Sequence, residues 1–310
     1  MQNDKKKKLS LAQAKQFIPL YLMMIPGLLY LLINNYIPMT GIIVAFKKYN
    51  VNDGIYRSPW NGLKNFEYLL TSNDAFTIIR NTFCYNVAFI IVNNVVAIIL
   101  AIMICDVAHK GLKKLYQSSI LLPFLVSIVV TSYIVFAFLS HENGMFNSLL
   151  VAQGKEKILW YNTPKYWPFI LVFVNCWKGV GYGTLIYIAT VSGIDSTYYE
   201  AAALDGANKW QQIKNITLPF LIPSVITLLL MSIGRIFYSD FGLFYQIPQN
   251  SGTLFPVTNT IDTYVYRALI SSGGIGRSSA AGVFQSIVGF VLVVFSNWIV
   301  TKASPENAIF

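Results

Sequence analysis

Charge is what this sequence has least of. Only 12% of its 310 residues are charged, against about a quarter in a soluble domain. Acidic residues are scarcer still, 13 Asp and Glu against 23 Lys and Arg. The deficit is uneven: long apolar runs alternate with short stretches that collect the charges, which excludes an ordinary soluble fold and fits a chain that crosses a membrane several times. Cysteine is also rare. Cys84, Cys105 and Cys176 fall within or at the end of apolar runs and show neither C-x-x-C nor metal-ligand spacing, so they read as small buried hydrophobes. The two histidines, His109 and His141, lie in different loops and define no metal site by themselves. The chain lacks G-x-x-x-x-G-K-[ST], so it cannot cradle nucleotide phosphates in that way.

The net charge of +10 does not indicate nucleic acid. The basic residues flank apolar runs instead of forming an aromatic-studded patch, which is how cytoplasmic loops of membrane proteins are charged. Six runs are long enough to span about 30 Å of hydrocarbon: residues 18–43, 81–105, 115–139, 167–191, 219–238 and 280–301. Each must satisfy its own backbone in lipid, and none alternates as a barrel strand does, so an all-α integral membrane protein with about six transmembrane helices is expected. Lys5 to Lys8 resemble the basic start of a signal peptide, but the run that follows is too long and lacks a small-residue cleavage site, so it reads as a retained first span.

Lys5 to Lys8, Lys15, His109, Lys110, Lys113, Lys114 and Lys302 fall on one side of six spans. That side is expected to be the cytoplasm, with both termini there. The segments at 44–80, 140–166 and 239–279 then lie outside. They carry Tyr56, Trp60, Trp160, Tyr161, Tyr166, Trp167 and Tyr264, which suit an interfacial aromatic belt or a docking face; Trp167, at a span boundary, is expected in the belt. The run Ser271-Ser272-Gly273-Gly274-Ile275-Gly276 reads as turn-rich. Pro19, Pro26, Pro38, Pro123 and Pro223 lie in or beside spans, where neighbours or water must satisfy the freed backbone.

The most informative stretch is Glu200-Ala201-Ala202-Ala203-Leu204-Asp205-Gly206-Ala207-Asn208, continuing to Ile216-Thr217-Leu218-Pro219. Thr197 and Glu200 fit a capping box, and the alanines favour helix. Gly206 can end that helix in the left-handed conformation, and Asn208 can cap a second one. Pro219 can open the next span, where its missing N–H is harmless. The result is two short helices at the cytoplasmic face, presenting small alanines around a glutamate: either a plain connector or a shape for a groove on another protein.

The spacing E-A-A-x-x-x-G, nine residues, then I-x-L-P resembles the signature loop of ABC-importer permeases. Ile37-Pro38-Met39, Ala45-Phe46-Lys47 and Ile261-Asp262-Thr263-Tyr264-Val265-Tyr266-Arg267 are similar to the carbohydrate-uptake branch, more narrowly to permeases for complex oligosaccharides and polysaccharide fragments. The resemblance covers nearly the whole chain. It implies the type I ABC importer permease fold: one transmembrane permease domain over 1–310, with a basic cytoplasmic segment at 1–16, core helices over about 80–301 and a coupling loop at about 195–219. It implies a second homologous permease, two ATP-binding subunits carrying MgATP, and an extracytoplasmic solute-binding protein that delivers sugar, with no cofactor held by this chain. Coupling residues would be Glu200, Ala201, Ala202, Asp205, Gly206, Ile216, Leu218 and Pro219. Glu200 would orient the loop by capping or by pairing with a basic residue of the ATPase.

Candidate path residues are polar groups within spans, which are costly there and default to function. Asn175, Lys178 and Tyr182 share one face of the fourth span at i, i+3, i+7, with Trp177 beside them. Gly179, Gly181 and Gly183 allow close helix approach. Arg235 stands toward the outer end of the fifth span, followed by Tyr238 and Asp240. These groups suit sugar hydroxyls and ring faces, and the cations an acidic sugar; alternatively Lys178 pairs with a carboxylate of the partner permease and Arg235 with Asp240 or a lipid headgroup. Asn93 and Asn94 read as interhelical hydrogen-bond partners. An ion-coupled carrier would want paired intramembrane carboxylates and an inverted repeat; a membrane enzyme would want clustered His, Asp or Glu. The sequence shows neither.

Overall fold

The computed structural model describes residues 17–71, 74–272 and 274–303; Lys5 to Lys8, Lys15 and Gly273 lie outside the described residues. Secondary structure there is helical apart from one isolated bridge between Lys47 and Trp60. The first span, Ile18–Phe46, opens with α1 (Ile18–Leu31), none of whose residues is buried. It continues through a π turn at Leu32–Tyr36 and ends as a 3-10 helix, Thr40–Phe46. Then follow α2 (Ala75–Cys105), α3 (Lys110–Leu125), α4 (Ile128–Leu139), α5 (Met145–Ala152) and α6 (Trp167–Ser192). The segment after α6 holds α7 (Ser196–Leu204) and α8 (Lys209–Gln212). A π turn at Ile213–Thr217 leads into α9 (Leu218–Ile233), and α10 (Phe241–Gln246), α11 (Ile261–Ser272) and α12 (Ile275–Ala303) complete the chain. Five helices are long and apolar enough to cross a membrane, six if α3 and α4 form one broken span.

The axis of the molecule is the pair α2 and α6. Ala97 and Ala101 on α2 are fully buried against Val180, Tyr187 and Ile188 of α6, and such small residues are what let two helices close in lipid. Gly181 does the same against α3: a Cβ there would stand 2.1 Å from the Ile120 carbonyl oxygen, whereas Gly179 has open space around it. Toward the other end, Tyr85 and Phe89 pack on Trp167, Leu171 and Phe244.

Several expectations are corrected. The third span is not a single helix over 115–139. It starts at Lys110 and breaks between α3 and α4 with a 94° bend, because Val126 and Ser127 are extended and Ser127 caps the new helix through its hydroxyl (3.3 Å to Val130 N). The fifth span begins at Lys209, not Pro219, and its helix stops at Ile233. Pro219 is the second residue of α9, directly after the π turn in which Leu218 N–H bonds to Ile213 O. The same device precedes Pro38, where Ile37 N–H bonds to Leu32 O. A wide turn moves the preceding carbonyls away from the proline ring, which would collide with one of them in a regular helix. Of the glycine-rich run, Ser271 and Ser272 end α11 and Ile275 and Gly276 open α12, with Gly273 outside the described residues. Trp167 is fully buried, its indole N–H donating to Trp160 O at 2.8 Å, so it belongs to the core and not to a lipid-facing belt.

Candidate functional site

Two sites emerge, at opposite depths. The first is the loop between α6 and α9. Asp195 caps α7, its carboxylate accepting from Thr197 N at 2.9 Å, and this bond holds the Asp195 carboxyl below its usual range. The expected Thr197–Glu200 capping box is therefore not formed: the cap sits two residues earlier, and Glu200 makes no hydrogen bond or ion pair among the described residues. The C-terminus of α7 is a full Schellman motif, with Ala207 N bonded to Ala202 O at 2.9 Å and Gly206 N to Ala203 O at 3.1 Å. Gly206 stands at φ +80°, a region costing an L-residue about 1 kcal/mol or more. Asn208 and Gln211 form the reciprocal capping box of α8, at 2.8 and 2.9 Å.

The loop is tied to the bundle. The Tyr199 and Thr217 hydroxyls meet at 3.0 Å, the Tyr198 and Phe220 rings lie 5.4 Å apart, and Lys209 pairs with Asp106 at 2.6 Å. That ion pair is exposed and contributes at most about 1 kcal/mol, but it fixes α8 against the end of α2. Of the predicted coupling residues, Ala201, Asp205 and Gly206 are exposed and Ala202 half-buried. Ile216, Leu218 and Pro219 lie along the π turn and the start of α9. Sequence reasoning overlooked Leu204, 90% exposed, and Trp210, 70% exposed. Two large apolar residues in a loop between charged neighbours were the available signal.

The second site is a cavity of about 550 Å³ among α2, α6 and the turn after α9. Asn175, Arg235, Tyr238 and Asp240 line it, together with Asn86, Asn93 and Asn94. Asn86 and Asn93 stand seven residues apart on one face of α2; that spacing was the signal for Asn86, which the sequence reading missed. Asn93 donates to the Asn175 side chain at 2.9 Å, while its own carbonyl oxygen is buried without a partner among the described residues. Asn94 accepts from the Tyr187 hydroxyl at 2.5 Å. Asp240 caps α10 through Leu243 N at 3.1 Å and forms no pair with Arg235. The Ser239 turn beside it is held by Asp262, which accepts from Ser239 N at 2.6 Å and Oγ at 2.7 Å and from Gln285 at 3.2 Å. Arg267 of the same motif donates to Asn250 and Asn259 and sits 4.0 Å over the Phe255 ring.

Trp177, Lys178 and Tyr182 do not join the cavity. The Lys178 ammonium donates to the carbonyls of Pro123, Phe124 and Val126, at the end of α3 where the third span breaks. Tyr182 stacks on Phe124 at 6.0 Å. The expected common face of Asn175, Lys178 and Tyr182 is thus divided: Asn175 turns toward α2, the other two toward α3.

Residues 93–305 match the family described as binding-protein-dependent transport system inner membrane component. The chain is 34% identical to the polygalacturonan/rhamnogalacturonan transport system permease protein YteP of Bacillus subtilis (strain 168), over 98% of this chain and 94% of that one. It is 32% identical to protein LplB of the same organism, over 93% and 90%. Its fold matches a chain of the crystal structure of a bacterial alginate ABC transporter in complex with an alginate pentasaccharide-bound periplasmic protein, with a TM-score of 0.86 and 30% identity, over 96% of this chain and 99% of that one. With the family matched over most of the chain and the fold shared from end to end, the protein belongs to the binding-protein-dependent transport system inner membrane components and is a multi-pass permease subunit of an ABC importer.

Proposed function

We propose that this permease passes oligosaccharides, including acidic polysaccharide fragments, through the cavity beside Asn93 and Arg235, and that the loop over Glu200 to Gly206 couples the passage to ATP hydrolysis by separate subunits. The observation that carries the path is a polar cavity between apolar spans, lined by four asparagines and an arginine with no carboxylate partner among the described residues. Amides offer paired donors and acceptors to sugar hydroxyls, and a guanidinium suits a uronate carboxylate. The relatives named for polygalacturonan/rhamnogalacturonan and for alginate favour the acidic reading.

The partners follow from the same reasoning. An α1 without a single buried residue fits a helix that packs on a second, homologous permease. Leu204 and Trp210, exposed beside Glu200, fit the groove of an ATPase subunit on the cytoplasmic side, where both termini of this chain also lie. A binding protein on the outer side delivers the sugar. In proteoliposomes holding the assembled transporter, Arg235→Gln and Asn93→Leu should each raise KM for a galacturonan fragment about tenfold, the loss of one charge-assisted or buried hydrogen bond. Unchanged KM in both variants would remove the cavity from the path.

A further inference from the structure

The end of the molecule away from the coupling loop holds a second pocket that the import path does not use. It has a volume of about 500 Å³ and lies among the turn after α4, the segment before α6 and the turn after α10. Its lining includes Trp160, Tyr161, His141, Glu142, Gln249 and Ser251.

The walls are built, not incidental. Asn147, fully buried, accepts from Ile158 N at 2.9 Å and the Trp160 indole at 3.2 Å, and donates to Ile158 O at 2.9 Å and Ser140 O at 3.2 Å. One side chain thereby fixes both the His141 turn and the Trp160 segment. The opposite rim is tied in by Ser251, whose hydroxyl donates to Tyr161 O at 3.1 Å. On that rim Gln249 and Asn250 hold φ values of 53° and 50°, a conformation uncommon for residues other than glycine and concentrated at functional sites. The Tyr161 hydroxyl is itself buried with no partner among the described residues, so Tyr161 lends the pocket its ring, held edge-on against Trp167 at 5.1 Å.

We infer that this pocket is an outer saccharide site that takes one neutral sugar unit; the inference rests on the import reading above. Aromatic walls present faces to a pyranose ring, while the imidazole, amide, carboxylate and hydroxyl groups bond its hydroxyls. Glu142, the only charged side chain in the lining, accepts from hydroxyls and repels a carboxylate, which selects a neutral unit. A single short element joins this pocket to the inner cavity. Asp240, at the N-cap of α10, lines the cavity, and Gln249, beyond its C-terminal end, lines the outer pocket. Six residues of helix and a left-handed turn separate the two, at most roughly 13 Å by helical rise, a span an oligosaccharide can bridge.

The test uses the whole transporter, with both permeases, the ATPases and the binding protein, in proteoliposomes. The probes are rhamnogalacturonan fragments of two and six units, in which neutral and acidic sugars alternate. His141→Ala and Gln249→Ala should each raise the ratio of the six-unit KM to the two-unit KM about fivefold, the loss of one hydrogen bond. Equal changes at both lengths, or none, overturn the pocket while leaving import intact. A matching rise in the binding-protein concentration needed for half-maximal ATPase stimulation, the same with either fragment, assigns the pocket to protein docking and also overturns it. Import of neither fragment by the unaltered transporter overturns the import reading, and the pocket with it.

Discussion

Lys178 shows how a single residue changes meaning once its neighbours are known. By composition, an ammonium in the middle of a span is a candidate ligand for cargo. Its contacts are instead the carbonyls of Pro123, Phe124 and Val126, the groups a broken helix leaves without partners, where a cation also complements the helix dipole. Lys178→Met should leave the half-buried Val126 carbonyl without this donor, at a cost of about 1 kcal/mol. The unfolding midpoint of the solubilised transporter should fall and the turnover rate should drop, with KM for sugar within about twofold; a raised KM with normal stability would return Lys178 to the path. Asp195 makes a different point. Its carboxyl is held below the usual carboxylate range by the Thr197 backbone N–H, so its capping contribution is complete above the unfolded value of about 3.9. It is lost only as pH falls through the still lower folded value. Coupling measured as ATP consumed per sugar should therefore be flat in Asp195 between pH 5 and 8. Asp195→Asn should match the unaltered protein and Asp195→Ala should couple less well; a carboxylate titration inside that window would contradict this.

At the scale of elements, the coupling loop is two short helices whose ends are all specified locally. Asp195 starts α7, Gly206 stops it, and Asn208 with Gln211 starts α8. The stop and the second start are legible in the sequence, because glycine after a helix and asparagine before one act through their own backbone. The first start was not, since Asp195 and Thr197 compete for the same amides and only the chain direction out of α6 decides between them. Gly206→Pro removes the N–H that bonds to Ala203 O and forbids the positive φ, so sugar-stimulated ATPase activity should fall severalfold while membrane insertion stays normal. Glu200→Lys should do the same by reversing a charge that has no partner among the described residues. Normal stimulation in both variants would remove the loop from the coupling account. The two π turns, before Pro38 and before Pro219, were not readable: the prolines were visible, but whether a proline opens a helix or sits after a widened turn depends on helix that continues upstream.

At the scale of the molecule, apolar runs gave the spans, while the break in the third span stayed hidden. No property of 115–139 alone forces a 94° bend; it needs Ser127 to restart the helix and Lys178, from another span, to satisfy the end of α3. The inner cavity was half visible for the same reason. Asn175 and Arg235 were recognisable as polar groups within or near spans, but which of them meet depends on how α2, α6 and the turn after α9 pack. On the proposed reading the spans move when nucleotide binds on partner subunits, and α7, anchored through Tyr198 and Tyr199 to α9 and the turn before it, is the element that would receive that movement. The most direct measurement is cross-linking from Leu204→Cys, at the 90% exposed tip of α7, in the assembled transporter. A cross-link to the ATPase subunit that abolishes sugar-stimulated hydrolysis and is reversed by reductant is the predicted result. Labelling of that cysteine from the outer face of intact cells, or a cross-link that leaves transport untouched, would contradict the account.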